Sequence, residues 1–277
     1  MKILIFGKGY IGHKFVNYLR EQGEDVDFAD VRLEDYSAVK AELEVKQPDV
    51  VINCAGKTGR PNVDWCEDNK METLASNVVA PLILARACEK LDLYMVHVGS
   101  GCVYTGDKGG EGYCECDEPT FDGSFYSRTK AWSEDMLREF PVLQLRLRMP
   151  FDSEPGERNF ITKITKYERV ISVPNSISVV EDFLIAGTEL IRKRETGVFN
   201  MTNPGTITHE EILEMYKEIV DPDFEYEIMS LEELDKVTKA GRSNCGLSSA
   251  KLEEVGVKMR PVHEAVRDAL EKYSGML

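Results

Sequence analysis

Lys2-Ile3-Leu4-Ile5-Phe6-Gly7-Lys8-Gly9-Tyr10-Ile11-Gly12 is the stretch that decides the fold. Ile3–Phe6 is an unbroken apolar run and reads as a buried strand, and the glycines behind it stand as G-x-G-x-x-G. Between a strand and a helix that order has a mechanical meaning. The first glycine permits the tight turn, and the second lets backbone approach a pyrophosphate. The third lets the helix pack on the strand with its N-terminus facing the phosphates. Gly7, Gly9, Tyr10, Ile11 and Gly12 are therefore expected to cradle a dinucleotide. The strand begins so early that no signal peptide is expected.

Working outward, apolar runs and helical patterns alternate, the mark of an α/β fold with a doubly wound parallel sheet. Tyr10–Gln22 carries Ile11, Phe15, Val16 and Leu19 at helical spacing, and Gly23 closes it. Strands are expected at Val26–Ala29, Val50–Ile52, Met95–Val98 and Val142–Leu147. Helices are expected at Ser37–Lys46, over 71–91 with a bend at Pro81, and at Phe125–Phe140. After Pro150 the alternation lapses. A short helix is expected near Phe160–Tyr167, then a helix at Val180–Arg192 and a strand at Val198–Asn200. Thr208…Glu211 and Ser230…Glu233 are capping boxes, and Pro261 suits the first turn of a last helix. The expected organisation is a Rossmann domain over 1–150 and a small C-terminal α/β substrate lobe over 151–277, with about 178–202 returning to the main sheet.

The chain has 277 residues, 42% hydrophobic and 30% charged, the balance of a globular protein. With 34 Lys and Arg against 49 Asp and Glu, its net charge is −15. Such a surface repels phosphate backbones and anionic lipid, so neither a nucleic-acid nor a membrane partner is expected. A phosphate-bearing ligand must then be held by local cations and backbone N–H groups. Arg32, two residues past Asp30 at the end of the second strand, could clamp a 2′-phosphate, whereas Asp30 could hold a 2′-hydroxyl. NADPH is favoured, with NADH the alternative, and Ala55 and Gly56 after the third strand are expected to line the same cleft. Of seven cysteines only Cys114 and Cys116 lie close in sequence, and C-x-C without a nearby His is no zinc pattern. Free thiols, no metal and a reducing, cytoplasmic compartment are expected.

Tyr126-Ser127-Arg128-Thr129-Lys130 is Y-x-x-x-K, which on a helix sets both side chains on one face. A tyrosine of ordinary pKa near ~10 is a poor acid–base group at neutral pH. A lysine ammonium beside it favours the phenolate and brings it towards working range. Ser100 ends the fourth strand, where its hydroxyl could share a substrate carbonyl oxygen with Tyr126. Alone, each is an ordinary helix or strand-end residue. Together with the glycine turn they resemble the extended short-chain dehydrogenase/reductases.

Longer strings narrow the resemblance: Thr58-Gly59-Arg60-Pro61-Asn62-Val63-Asp64-Trp65-Cys66-Glu67, Arg148-Met149-Pro150, Asn159-Phe160-Ile161-Thr162-Lys163-Ile164-Thr165, Thr202-Asn203-Pro204-Gly205 and Arg242-Ser243-Asn244. These are similar, almost end to end, to the nucleotide-rhamnose synthase/epimerase-reductase family, although the glycine turn is one residue shorter than the family's usual G-x-x-G-x-x-G. The resemblance implies UDP-4-keto-6-deoxyglucose as substrate, inversion at C3 and C5, then reduction of the C4 ketone. By the same resemblance Cys102 and Lys163 occupy the epimerase acid/base positions beside catalytic Ser100, Tyr126 and Lys130. Tyr126 and Lys130 also touch the cofactor. A thiol near a cation can ionise close to neutral pH, whereas the four histidines are badly placed for that chemistry.

Arg60, Asn62, Ser100, Gly101, Asn159, Lys163 and Arg242 are the expected substrate contacts. Asn77 reads as structural, and Trp65 and Trp132 as packing. The implied partners are a separate 4,6-dehydratase that supplies the substrate and a second copy of the chain, paired through the helices at 71–91 and 125–140. Two other readings stay open. One is a dTDP-4-keto-L-rhamnose reductase, which has no use for Cys102 and Lys163. The other is a non-catalytic regulatory subunit, against which the intact Ser100, Tyr126 and Lys130 argue.

Overall fold

The computed structural model describes residues 1–277. Its main sheet has six parallel strands: β1 (Lys2–Phe6), β2 (Asp25–Phe28), β3 (Val50–Asn53), β4 (Tyr94–Ser100), β5 (Val142–Leu147) and, after a short β6 (Arg169–Ile171), β7 (Gly197–Asn200). The spatial order is β2-β1-β3-β4-β5-β7. The chain turns outward from β1 to β2, then crosses back to β3, so the order reverses beside β1. Outside the carboxyl ends of the strands at such a reversal lies the ligand crevice of an open α/β sheet. β6 pairs in parallel with β8 (Glu227–Met229) as a second, two-stranded sheet that the sequence pattern does not announce.

Alternation in β1 shows how the layers form. Ile3 and Ile5 face one side, packed with Phe15, Val16 and Leu19 of α1 (Tyr10–Glu21). Leu4 and Phe6 face the other, packed with Val39 and Leu43 of α2 (Tyr36–Lys46). Each buried side chain of this size contributes roughly 1.5–3 kcal/mol. The expected helix over 71–91 is instead a series: α3 (Asp64–Asp68), α4 (Lys70–Leu74), a π-turn at Ala75–Val79 and α5 (Ala80–Lys90). The irregularity therefore precedes Pro81, which sits in the first turn of α5, where a missing donor costs little. The wider π-turn holds Asn77, whose side chain accepts from Lys57 N at 2.7 Å and donates to Lys57 O at 3.0 Å. Asn77 thereby ties down the loop that follows β3, the structural role expected of it.

Helix α6 (Phe125–Leu137) starts at Ser124, whose hydroxyl accepts from Ser127 N. Past β5 come α7 (Phe160–Ile164), α8 (Val180–Lys193) and α9 (His209–Ile219). These are followed by α10 (Leu231–Val237), α11 (Ala250–Glu254) and α12 (Val262–Ser274). Helix α8 and β7 return to the main sheet, where Phe183 and Phe199 join the core of Ile3 and Leu145. A separate apolar core of Ile161, Val170, Ile212, Val266 and Leu270 unites α7, β6, α9 and α12. Both capping boxes form, at Thr208 and at Ser230, and Pro261 is the residue before α12 rather than its first turn. Against the expectation of free thiols throughout, Cys114 and Cys116 form a disulfide, because a turn brings their Cα atoms to 5.4 Å. The other five cysteines are free.

Candidate active site

The glycine turn behaves as its spacing demands. Gly7 has φ +102°, and a Cβ there would lie 2.4 Å from Ala55 N; a Cβ at Gly12 would lie 2.0 Å from Gly7 O. A Cβ at Gly9 would meet nothing within 4 Å, so the turn leaves open space in front of the second glycine. No side chain caps α1, and its first N–H groups face that space. The donors and the room fit a pyrophosphate. An adjoining cleft of about 360 Å³ is lined by Gly7, Lys8, Asp30, Arg32, Ala55 and Ala80. Lys8, a variable position of the glycine motif, pairs with Asp30 at 2.6 Å and lowers that carboxyl's pKa. Arg32 is 88% exposed and only loosely paired with Glu34 at 3.8 Å. Two cations thus flank the acidic residue that could hold a ribose. Tyr10, expected among the cofactor contacts, does not line this cleft, and its hydroxyl donates instead to Asp152 Oδ2 at 2.7 Å.

Tyr126 and Lys130 share the inner face of α6. Lys130 Nζ lies 3.4 Å from Val98 O, close under Gly56. Burial lowers the lysine to about 8. The tyrosine does not move towards working range as the Y-x-x-x-K argument expects. Burial pushes it up, the nearby Cys102 adds to that, and only the Ser100 hydroxyl opposes them. Desolvation of the phenolate decides the direction, and Lys130 is not among the groups that oppose it, so Tyr126 is held as a proton donor.

A cavity of about 270 Å³ opens from Tyr126 into the C-terminal lobe and is lined by Cys102, Arg148, Phe160, Tyr167, His209 and Arg242 among others. β4 ends at Ser100 and the chain turns, with Cys102 N donating to Ser100 Oγ at 3.2 Å. The turn, not an extended strand, delivers the Cys102 thiol to the cavity wall beside Tyr126. Arg242 reaches the wall while its guanidinium pairs with Asp64 at 2.8 Å.

Other expected contacts lie elsewhere. Lys163 is half-buried, lowered by burial and by the charge of Arg158, but the cavity is lined by its neighbours Phe160 and Ile164 and not by Lys163 itself. Asn159 is fully buried and its amide is consumed by Asp152 O, Glu154 O, Asp152 N and Ile161 N; it caps α7 and has nothing left for a ligand. Asn62 accepts from Asp64 N at 2.9 Å and makes the turn into α3. A Cβ at Gly101 would lie 2.6 Å from Leu247, so that glycine serves packing. Arg60 borders a separate cleft with Lys57, Trp65 and Arg158, and Gly56 lines that cleft and not the one beside Gly7 and Ala55. Trp132 packs edge-on against Phe125, as its packing assignment expects.

Two residues missed from the sequence stand out. His209 is one of the four histidines whose places in the sequence point away from this chemistry, yet it lines the cavity with its ring against Phe160, and burial lowers it to about 4. Arg148 is 1% exposed and donates to the Cys102 thiol at 3.2 Å. For Arg148 a signal existed in its string Arg148-Met149-Pro150; for His209 there was none, because its neighbours in space come from α7 and β5.

A Rossmann sheet, a glycine turn, and Ser100, Tyr126 and Lys130 under a C-terminal lobe define an extended short-chain dehydrogenase/reductase. Within that class the chain belongs to the family described as RmlD substrate binding domain, which residues 1–274 match. It is 42% identical, over 99% of its length, to a trifunctional UDP-glucose 4,6-dehydratase/UDP-4-keto-6-deoxy-D-glucose 3,5-epimerase/UDP-4-keto-L-rhamnose-reductase of Arabidopsis thaliana, and spans 42% of that protein. It is 41% identical to a bifunctional dTDP-4-dehydrorhamnose 3,5-epimerase/dTDP-4-dehydrorhamnose reductase of the same plant, over 95% of this chain and 90% of the other. The crystal structure of a UDP-rhamnose synthase from Acanthamoeba polyphaga mimivirus superposes with a TM-score of 0.95 at 36% identity, covering 98% of this chain and 99% of that one.

Proposed function

We propose that this chain is a bifunctional enzyme that inverts C3 and C5 of UDP-4-keto-6-deoxyglucose and then reduces C4 with NADPH, yielding UDP-L-rhamnose. The observation that carries the proposal is the meeting of Cys102 and Tyr126 on one cavity wall. A reductase needs the tyrosine; a thiol there serves proton transfer. The ketone acidifies the protons on C3 and C5, and removal of either leaves an enolate on O4. Donors placed at O4 stabilise that charge, and Ser100 and Tyr126 supply them in both half-reactions. Cys102 exchanges the proton on one face of the ring. Lys163, whose amine form burial favours, is proposed for the other, approaching from α7. Bound NADPH supplies the hydride for C4. Tyr126 gives O4 its proton, and Lys130 supports the tyrosine from beneath Gly56.

Residues 1–150 are proposed to hold the cofactor, with Lys8 and Arg32 at its 2′-phosphate, and 151–277 to enclose the nucleotide. A 4,6-dehydratase must supply the ketone, and the Arabidopsis relatives name such an activity beside the other two. Exposed Met71 and Val79, with Trp132 and Met136 on α6, support a homodimer formed through these helices. A cytoplasmic setting suits the cofactor. The second reading, a dTDP-4-keto-L-rhamnose reductase, leaves Cys102 idle. Incubation with NADPH and UDP-4-keto-6-deoxyglucose in D₂O, read by NMR, separates the two. Deuterium at C3 and C5 of a rhamnose product is expected, and reduction without exchange would leave the reductase alone.

A further inference from the structure

Two arginines stand two residues apart at the end of β5, both buried. Arg146 meets Glu134 through two hydrogen bonds of 2.7 and 2.6 Å, so its charge has a carboxylate. Arg148 has none. Its guanidinium donates to Asn175 Oδ1, to Ser243 O at 2.8 Å, to Ser243 Oγ at 3.4 Å and to Cys102 Sγ at 3.2 Å, and its Nε has no partner. A buried cation with only neutral partners is costly, and an anion that forms beside it is correspondingly favoured.

The groups that face this spot leave one candidate for that anion. On α6, Tyr126 is held protonated by burial and Lys130 is a base. On the segment before α11, burial pushes the Cys245 thiol up. On α9, His209 is kept neutral by burial and by Arg148 itself. Cys102 alone sets an ionisable thiol in direct contact with the guanidinium, at 3.2 Å.

We infer that Arg148 is the resident counter-ion of the Cys102 thiolate, a positioning residue that fixes where the thiolate forms and how much of it is present. The inference deepens the proposed epimerase reading and rests on it for its catalytic meaning. When Cys102 takes a proton from the sugar, the C–H electron pair passes to the enolate on O4, and the thiolate's charge leaves Arg148 as the S–H bond forms. When Cys102 delivers a proton, the charge returns. Either direction of transfer passes through a thiolate held by Arg148, which also turns the sulfur towards the cavity.

The test measures the thiol directly, without the sugar. The full chain is alkylated with iodoacetamide at neutral pH, and each cysteine peptide is followed by mass spectrometry. In the wild type, Cys102 is expected to react at least about tenfold faster than Cys54, which burial keeps protonated. Arg148→Gln should slow Cys102 by about tenfold or more, while Arg148→Lys restores part of the rate, since a point charge replaces the fork. NADPH binding, in a separate cleft, reports whether each variant is folded. Equal Cys102 rates in wild type and Arg148→Gln, or a wild-type Cys102 no faster than Cys54, would overturn the inference. The second result needs no variant. Deuterium exchange in Cys102→Ala completes the set. Exchange that persists there removes Cys102 from the epimerisation and leaves the Arg148 contact standing, whereas exchange lost with alkylation unaffected by Arg148→Gln keeps Cys102 in the reaction and removes Arg148 from it.

Discussion

The two clefts at the carboxyl edge of the sheet are built from opposite materials. The cofactor cleft is made of backbone: a turn from one short segment, an uncapped helix N-terminus and absent Cβ atoms, with its cations exposed at the mouth. The cavity beyond Tyr126 is made of side chains from the turn after β4, α6, the exit of β5, α7 and α9, with Arg148 buried and His209 half-buried in its wall. A backbone site fails when a methyl group is added and tolerates loss of a surface charge. A side-chain site fails when one functional group is removed. The difference can be tested by substitutions of both kinds.

The largest effects belong to the cavity. Tyr126→Phe keeps the ring and removes the proton, and should cost at least ~10²-fold in reduction with NADPH binding intact. A normal rate in stopped-flow oxidation of NADPH would take the tyrosine out of the reaction. Cys102→Ala and Lys163→Ala should each lose exchange at C3 or C5 by ~10²-fold or more, and should still reduce a 4-keto sugar already in the L-configuration. Because Lys163 lies off the cavity wall, the comparison between the two is informative. Exchange that survives Lys163→Ala alone assigns the second face to another group.

Next in size is a change that touches neither cleft. Glu134→Gln leaves Arg146 buried without its carboxylate and should cost about 3–5 kcal/mol in urea unfolding, the usual result of breaking a buried pair from one side. A loss below 1 kcal/mol would mean that Asn200, which accepts from Arg146 at 3.0 Å, and the ring of Tyr104 are enough.

Within the cofactor cleft, Gly12→Ala forces a methyl onto Gly7 O and should destabilise the fold by about 1–3 kcal/mol. Gly9→Ala meets no protein atom and should keep its Tm while weakening NADPH binding. A lower Tm for both, or for neither, would break the distinction between a packing glycine and a ligand glycine.

Two smaller effects follow from charge. Lys130 is lowered to about 8 in the folded chain, against an ordinary 10.5. Between those values the unfolded chain binds more protons, so stability rises with pH across that window, and below it the cost of the buried ammonium is borne in full. Lys130→Met should flatten this rise, and the wild-type reduction rate should fall above about pH 8 as the ammonium is lost. Smallest is Arg32→Ala. At so exposed a side chain the loss should be a few-fold, within the ~0–1 kcal/mol of surface ion pairs, and larger for NADPH than for NADH. Equal losses in titrations at fixed salt would remove Arg32 from the 2′-phosphate and leave Lys8.

What the sequence by itself determined is what local chemistry determines. Gly7, Gly9 and Gly12 lie within six residues, so their turn is legible wherever the chain folds. Y-x-x-x-K is one helical turn, and the capping boxes at Thr208 and Ser230 close on themselves. The apolar alternation that sends Ile3 and Leu4 to opposite faces also dictates the layered sheet. Tertiary structure decided the rest, because burial and distant partners cannot be read from spacing. It turned Asn159 from a ligand contact into the cap of α7 by consuming every bond its amide can make. It kept Lys163 off the cavity wall, brought His209 onto it, and reversed the expected direction of the Tyr126 shift by removing water from the phenol. It also set two arginines of one strand end, Arg146 and Arg148, in different roles. A carboxylate twelve residues upstream reaches the first, whereas the second meets a thiol forty-six residues upstream and the neutral oxygens of Asn175 and Ser243. The cost of burying charge depends on which partner the fold supplies, and the fold supplies it from far along the chain.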